Sequence, residues 1–545
     1  ATCRWCSTAA AAQPSASGDL CSEGKPVFVL GAGISGLVSA RSLQHFGCKV
    51  VVFEAMDRLG GRTHTLGSEH GPFAGAEEGA HWVHGGVDNL PSSKLLSWLG
   101  VEQVRVGGDE VWEGTRDALT LYDKNSGRPL TAKERDASFD LFLTADGAVG
   151  DYVSDLCDND KACNLTVAEA WTQALGGRNF TGEDELRLRW HQRVDYEQDA
   201  GAAIAQLNAR AEYYDDYTSF YPEEGDAGWE RRGDGFVRGG YVSVVDGLAK
   251  GLDVRLSSPV AAIEHSEEGV VLRMADGRRH HGAAAVVTAS VGALQEQLRT
   301  GALSFEPPLP AEKTSALGRL GMGSVTKLLV KLRNSTDELR LGPYVTGWVV
   351  RRDQVLTMCV RSDAEGRVKH VLECFAGGEA AVRAQDYSKE ELMRQVDHEL
   401  SGILGPGQVE DVMTSGWNTN PYFMGAWSYV RPGGKSTDID TWAAPVGQRL
   451  HFAGEGSCRM MYGCVHAAVV SGARAAHDIL RGWLSEDSAS TWPFFSKDLL
   501  KLCAERPSHA AGLQRRSRSV SKAWWMRFGG IPCRPGRGTT GTVVV

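Results

Sequence analysis

Residues 27–62, VFVLGAGISGLVSARSLQHFGCKVVVFEAMDRLGGR, constrain this chain more than any other segment. An apolar run, Val27 to Leu30, meets Gly31-x-Gly33-x-x-Gly36. A helical pattern leads from there to a second apolar run, Val50 to Phe53, that ends on Glu54. Strand, glycine turn, helix and strand in that order form the unit that holds an adenine dinucleotide. Gly31 permits the tight turn. Gly33 lets the backbone approach a pyrophosphate, whose charge sits at the positive start of the helix. Gly36 lets helix and strand pack closely. Glu54 falls about twenty residues on and is placed to accept hydrogen bonds from ribose hydroxyls. Glycine-rich turns are common, so the motif alone is weak. Here the flanking strands, the helix and the acid all agree with it.

The chain has 545 residues, enough for two to four domains, and is 42% hydrophobic and 23% charged, as a globular protein is. Its net charge of −10 argues against nucleic acid as a main partner and suits cationic small substrates. No apolar run approaches the length of a membrane span. Twelve cysteines in a chain this long do not make a disulfide scaffold, and their spacings lack a zinc pattern, so no metal is expected. Cys157 and Cys163 are close enough to bridge a local loop in an oxidising compartment. Asn164-Leu-Thr, Asn179-Phe-Thr and Asn334-Ser-Thr are glycosylation sequons, though such tripeptides also arise by chance. A cytoplasmic or organellar location is expected, with secretion as the alternative. Residues 1–24, rich in Ala, Ser and Cys, read as a targeting remnant or disordered leader. Residues 485–545, with Arg515-Arg516-Ser517-Arg518-Ser519, read as a flexible basic extension.

Alternation and turn signals return between 236 and 290. GFVRGGYVSVVDGLAKGL reads as a turn leading into a helix, and the segment from Asp253 to Ser290 as successive short strands. AAVVTAS and LHFAGE are apolar strands expected to rejoin the first sheet, the latter followed by a helix from Val465 to Leu480. Helical periodicity is expected within 161–212, and strands at Val355–Val360 and Val371–Phe375. A cofactor domain is thus expected from 25–90, 235–310 and 441–484, and a substrate domain from 91–234 and 311–440.

Four separated blocks carry a resemblance. They are the unit at 27–62, GAHWVHG at 79–85, GMGSVTK ending at Lys327, and FAGEGSCRMMYGCVHAAVVSGARAA at 452–476. Together they resemble the flavin-containing amine oxidase family, over about residues 26–484. The GAHWVHG block is most similar to polyamine oxidases of the spermine and acetylpolyamine type. The resemblance implies an α/β fold, a Rossmann-like FAD-binding domain assembled from discontinuous segments plus an α+β substrate-binding domain. It also implies FAD as cofactor and a small amine and oxygen as reactants.

Residue by residue, the resemblance implies the following. Gly60, Gly61 and Arg62 face the FAD pyrophosphate, with Arg62 supplying a cation; a surface turn with a solvated arginine is the plainer alternative. Gly79, Ala80, His81 and Trp82 lie at the cofactor, His81 through its backbone, and Val260 joins them. Glu455 contacts the ribityl or pyrophosphate region. The backbone at Cys464 and Val465 sits beside the isoalloxazine, with a helix start aimed at it. Lys327 holds a water against the flavin and assists reoxidation; Lys331, four residues along the same strand, competes for that role. His84 faces the amine path, where a neutral imidazole bonds a nitrogen or takes its proton, or else merely satisfies a buried loop. Trp417 and Trp427 fit the aromatic wall over the flavin, Cys464 takes its second wall position, and Trp427 and Cys464 also face the substrate; plain core packing is the other reading of these aromatics. Trp427 stands where tyrosine is usual, and Cys464 where tyrosine or threonine is common. Ala426 occupies the position of the flavin-linking cysteine in monoamine oxidases, so FAD is expected to be non-covalent.

The acidic stretch from Glu212 to Glu230 either draws polycations to an entrance or is a solvated face. The expected activity is amine oxidation, with polyamines as substrate. Hydride passes from the carbon next to nitrogen to the flavin, oxygen is reduced to hydrogen peroxide, and the imine hydrolyses. Three alternatives stand beside it. An L-amino-acid oxidase needs a carboxylate-clamping arginine, for which Arg189, Arg193 and Arg231 are candidates. A histone-lysine demethylase needs a helical insertion that the sequence does not display. A non-catalytic flavin scaffold is the third.

Overall fold

The computed structural model of the protein describes residues 21, 24–84, 90–105, 121, 128–159, 163–215, 235–339, 341, 344–346, 354–361, 368–459, 461–481, 484, 492–496, 499–500 and 503. The segment 1–20, most of the acidic stretch 212–230, Arg231 and the extension 505–545 lie outside the described residues.

The two apolar runs of the first motif form strands β1 (Val27–Leu30) and β2 (Val50–Phe53), buried at every position. Continuous burial is what a parallel sheet covered on both faces requires. The sheet runs Leu450–Phe452, Ala284–Val287, β1, β2, Asp253–Arg255, all parallel. Both distant apolar strands therefore rejoin it. Period-two alternation divides β1 between two cores: Val27 and Val29 point into one, Phe28 and Leu30 into the other. The first core is closed by helix α1 (Ile34–His45) and the helix Val465–Leu480. These helices approach so closely that a Cβ at Gly472 would sit 2.3 Å from the Ser35 carbonyl oxygen. The second core is closed by a four-stranded sheet built from Val260–Ser266, Gly269–Met274, Arg279–Gly282 and Ser304–Glu306.

A second five-stranded sheet, antiparallel, runs Tyr344–Thr346, Met358–Arg361, Val371–Gly377, Val325–Leu332, Val409–Thr414. The strand expected at Val355 begins only at Met358. The backbone amides of Val355 and Leu356 donate instead to the Glu399 carboxylate, at 2.8 and 2.9 Å, which takes them out of the ladder. The glycine-rich segment at 235 also differs. Gly235–Val237 is a short strand between Trp82–Val83 and Gln103–Arg105, and the helix Val242–Ala249 follows.

Helices fill the region from 132 to 213, including a long one, Ala132–Asp158, that periodicity did not single out. Three of them start with capping boxes, at Thr131/Glu134, Thr166/Glu169 and Thr181/Asp184. The helix Gly182–Gln192 continues into a π-helical turn, Arg193–Gln198, a local widening that often marks functional sites. Disulfides join Cys21–Cys48, Cys157–Cys163, Cys359–Cys374 and Cys458–Cys503. Among the described residues, no helix is long and apolar enough to cross a membrane, and no group of three or more ligating side chains is arranged to hold a metal.

Candidate active site

The glycine turn after β1 opens onto a cavity of about 990 Å³. Gly31 adopts φ 108°, a conformation that side chains disfavour. A Cβ at Gly36 would lie 2.0 Å from the Gly31 carbonyl oxygen, so this glycine is required by packing. Gly33 differs: a Cβ there would meet no atom nearer than Gly60 O at 3.9 Å. Its open side belongs to the cavity wall. The second glycine pair docks on the first, with Gly60 N donating to Ala32 O at 2.9 Å. Glu54 ends β2 and accepts the Ala32 amide at 2.6 Å and the Met56 amide at 2.8 Å. Burial raises its pKa, and those amides oppose the rise.

Two helices begin at this cavity, α1 after Gly33 and Val465–Leu480 after Cys464, and neither has a side-chain cap. Their first-turn N–H groups therefore lack intrahelical partners and favour an anionic group. The buried indole N–H groups of Trp82 and Trp427, whose residues also line the cavity, have no protein acceptor. A cavity bordered by two helix starts without side-chain caps and by aromatic side chains fits a dinucleotide flavin.

Arg62 and Glu455 join the glycine turns to the far block. Arg62 Nη1 donates to Glu455 Oε1 at 2.9 Å and to Ala426 O at 2.6 Å. The other Glu455 oxygen accepts from Ser428 Oγ at 2.6 Å and Gly463 N at 2.9 Å. Arg58, which the sequence did not single out, donates to the Leu59 and Gly61 carbonyls and lies 5.8 Å from the Trp417 and Phe423 rings.

Lys327 is buried and ion-paired. Its ammonium donates to Glu77 O at 2.8 Å, Gly79 O at 2.6 Å and Glu373 Oε2 at 3.0 Å, and lies 5.1 Å from the Phe375 ring centre. All three ammonium protons are thus taken up by protein acceptors. A water held by Lys327, as the family resemblance implies, must displace one of them. Lys331 is different: it pairs with Glu410 and is not part of the cavity wall. The Glu373 oxygen that binds Lys327 also accepts His81 Nδ1–H at 2.8 Å, and His81 stacks on Phe236 at 3.8 Å. Burial alone would raise the Glu373 pKa. The charges and hydrogen bonds of His81 and Lys327 outweigh it and hold the group at about 2.

The cavity lining also includes Trp82, Trp427 and Phe375 and three acids, Asp195, Asp199 and Glu212. Asp195 and its neighbour Tyr196 come from the π-helical turn. Burial raises Asp195 well above the ordinary carboxylate range, with Asp146 adding to it. Glu212 lines the cavity and is half-buried. Burial first, then Asp199 and Asp146, raise it to about 7. His84 lines the same cavity, its ring stacked against Trp82 at 6.3 Å.

Of the residues expected from sequence to serve an amine oxidase site, Gly36 is absent from the cavity wall and the others line it. Gly31, Gly33, Glu54, Arg62, Gly79, Ala80, His81, Trp82, His84, Val260, Lys327, Trp417, Trp427, Glu455, Cys464 and Val465 all border it. Arg189 and Arg193 do not. Arg189 pairs with Glu197, and Arg193 donates to the Gln354 and Val355 carbonyls. Arg62 is the one arginine lining the cavity among the described residues, and it is already paired. Arg231 lies outside the described residues. Sequence reading missed Glu373, Asp195 and Asp199. The available signal for Glu373 was a lone acid inside the apolar run Val371–Phe375.

The sequence profile of the family described as flavin containing amine oxidoreductase matches residues 34–480. Lysine-specific histone demethylase 2 of Homo sapiens is 28% identical over 474 residues, covering 84% of this chain and 53% of that protein. Polyamine oxidase 4 of Oryza sativa subsp. japonica is 27% identical over 481 residues, covering 84% of this chain and 89% of that one. The chain thus spans about half the length of the demethylase and most of the polyamine oxidase. Among solved structures, putrescine oxidase bound to putrescine superposes with a TM-score of 0.65 at 20% identity, covering 84% of this chain and 99% of that one. Cyclohexylamine oxidase from Brevibacterium oxydans IH-35A superposes with a TM-score of 0.65 at 22% identity, covering 84% and 98%. At these identities the superpositions establish a common fold.

Proposed function

The chain belongs to the flavin-containing amine oxidoreductase family, and on that premise we propose that it oxidises polyamines with FAD held non-covalently and oxygen as electron acceptor. The observation that carries the substrate class is the set of acids in the cavity lining, to which Asp195, Asp199 and Glu212 all contribute. Burial raises the carboxyl pKa values of Asp195 and Glu212, and Asp195 faces His191 Nδ1 at 3.3 Å. A polyamine brings several cations at fixed spacing; one amine reacts while another meets the acids. A monoamine leaves these acids unused, and an amino acid would bring a carboxylate beside them.

When bound, the flavin accepts the two electrons lost from the carbon next to nitrogen and passes them to oxygen, giving hydrogen peroxide. The protein supplies orientation and proton handling. An ammonium has no lone pair to stabilise the developing iminium, so the reacting nitrogen must first lose a proton. His84 is the group assigned to take it. Trp82 and Trp427 flank the path, and a cation against such rings gains about 0.5–2 kcal/mol. Gly31, Gly33 and the first-turn amides of α1 would hold the pyrophosphate and Glu54 the ribose, while Arg62 with Glu455 ties that region to the loop at 463–465. Ala426 offers no sulfur for a covalent flavin link.

A peroxide-coupled screen of spermine, spermidine, their acetylated forms, monoamines, L-amino acids and a methyl-lysine peptide tests the reading. Turnover is expected to be fastest on a polyamine. Faster turnover of a monoamine, an amino acid or the peptide would replace polyamines as the substrate class.

A further inference from the structure

Glu373 stands at the meeting point of three elements. In the antiparallel pairing, Lys327 faces Phe375 and Leu329 faces Glu373, which makes Lys327 and Glu373 diagonal neighbours on one face of the sheet. Side-chain exposures of 4% and 0% put the pair out of reach of solvent screening. One Glu373 oxygen accepts Lys327 Nζ and His81 Nδ1–H, at 3.0 and 2.8 Å; the other accepts the backbone amide of Glu77 at 3.1 Å. Lys327 in turn donates to the carbonyls of Glu77 and Gly79. Strand, lysine, histidine and the loop 77–81 are thus cross-tied through a single carboxylate.

The second acid of this cluster cannot replace it. Glu77 gives one oxygen to Thr65 and the Tyr241 amide, while its other oxygen is buried without a hydrogen-bond donor. Burial raises the pKa of Glu77, whereas Glu373 is held low. Glu373 is the one side-chain carboxylate that the Lys327 ammonium reaches among the described residues, its other two acceptors being backbone carbonyls, beside a cavity to which Gly79, His81 and Lys327 all contribute.

We propose that Glu373 is a positioning residue whose carboxylate fixes Lys327, His81 and the loop 77–81 at the cofactor cavity and cancels the lysine's charge there. The proposal rests on the reading that this cavity holds a flavin. A flavin gains negative charge on reduction, so an uncompensated cation beside it favours the reduced form. Glu373 is then the group that keeps Lys327 from doing so.

The test is the midpoint potential of the bound flavin in the holoprotein, measured for the wild type, Glu373→Gln, Lys327→Met and the double variant. Glu373→Gln removes the anion and should shift the two-electron reduction equilibrium at least tenfold toward the reduced flavin, about 30 mV. Lys327→Met should shift it the other way, and the double variant should return close to wild type. A purely structural role would lower the melting temperature without this pattern of potentials. A Glu373→Gln protein that retains flavin at the wild-type potential overturns the proposal. If Glu373→Gln does not fold, the double variant decides, since it removes both charges. A folded double variant near the wild-type potential supports the pairing, and one that fails like the single variant overturns it. A wild-type protein that binds no flavin overturns the reading of the cavity itself, and this inference with it.

Discussion

Arg62 donates to Glu455 at 2.9 Å although the two residues lie 393 positions apart in the chain. The contact joins the turn after β2 to the loop that starts the helix Val465–Leu480. Glu455 is 7% exposed, so its charge depends on partners rather than on water. Arg62→Ala leaves that charge without its cation, a loss of about 3 kcal/mol for a pair this buried. The variant is expected to melt several degrees lower and to release flavin more readily. Thermal melts and the fluorescence of freed flavin measure the two effects. A variant that keeps its melting temperature but loses flavin would confine Arg62 to the cofactor.

Gly33 and Gly36 separate cofactor binding from folding. A Cβ at Gly36 would collide with Gly31 O at 2.0 Å, whereas one at Gly33 would enter open cavity. Gly36→Ala is expected to destabilise the apoprotein by about 1–3 kcal/mol, as overpacking does. Gly33→Ala is expected to leave apoprotein stability within about 0.5 kcal/mol, like a change that strains no native contact, while weakening FAD binding. Apoprotein melts and a flavin titration distinguish them. Equal melting losses in both variants would deny Gly33 its special place.

The contrast between these glycines and Glu373 explains how much of the site was legible in sequence. Gly31, Gly33, Gly36 and Glu54 sit in one continuous segment, and each obeys a local rule of turn, helix start or strand end. The strands Ala284–Val287 and Leu450–Phe452 were legible too, because burial on both faces leaves an unbroken apolar run. Glu373 obeys a register rule between strands 46 positions apart, and register is not written in either strand alone. Asp195 was hidden for a related reason. It lies in a π-helical turn, whose widened spacing breaks the periodicity used to assign helix faces. The late start of the strand at Met358 had the same origin, since Glu399 takes two amides from another element.

Lys327→Met removes the cation from a pair in which Glu373 is fully buried. Breaking such a pair costs about 3–5 kcal/mol. Flavin reoxidation by oxygen is expected to slow more than FAD affinity falls. Stopped-flow mixing of reduced protein with oxygen, beside a flavin titration, compares the two. Unchanged oxygen kinetics would withdraw Lys327 from reoxidation and leave it a structural cation.

His84→Ala removes the imidazole stacked on Trp82. A group that takes a proton in the reaction contributes about 10²–10⁴-fold. Turnover of polyamine should drop within that range, and most at pH values where the substrate nitrogen is protonated. A pH profile of kcat/KM for both proteins measures this. Parallel profiles of equal height would assign His84 to packing alone.

Glu212 ties recognition of the substrate to pH. Burial, helped by Asp199 and Asp146, places its carboxyl at about 7. Below that value the group is neutral; above it, an anion faces the cavity. A polyamine cation is therefore gripped more firmly on the alkaline side, and KM is expected to fall as pH rises through about 7. Glu212→Gln should flatten that limb and raise KM at pH 8 about tenfold, corresponding to ~1.4 kcal/mol, with kcat little changed. Folding runs in the opposite sense. A carboxyl whose pKa is raised by folding stabilises the folded state while neutral. That contribution is complete below the ordinary value of 4.5 and is lost as pH rises through about 7. The glutamine variant should therefore melt no lower than wild type at pH 8, while binding substrate less well. A KM profile that the substitution leaves unchanged would remove Glu212 from substrate recognition, and with it the acids of the cavity lining as the reason to favour polyamines.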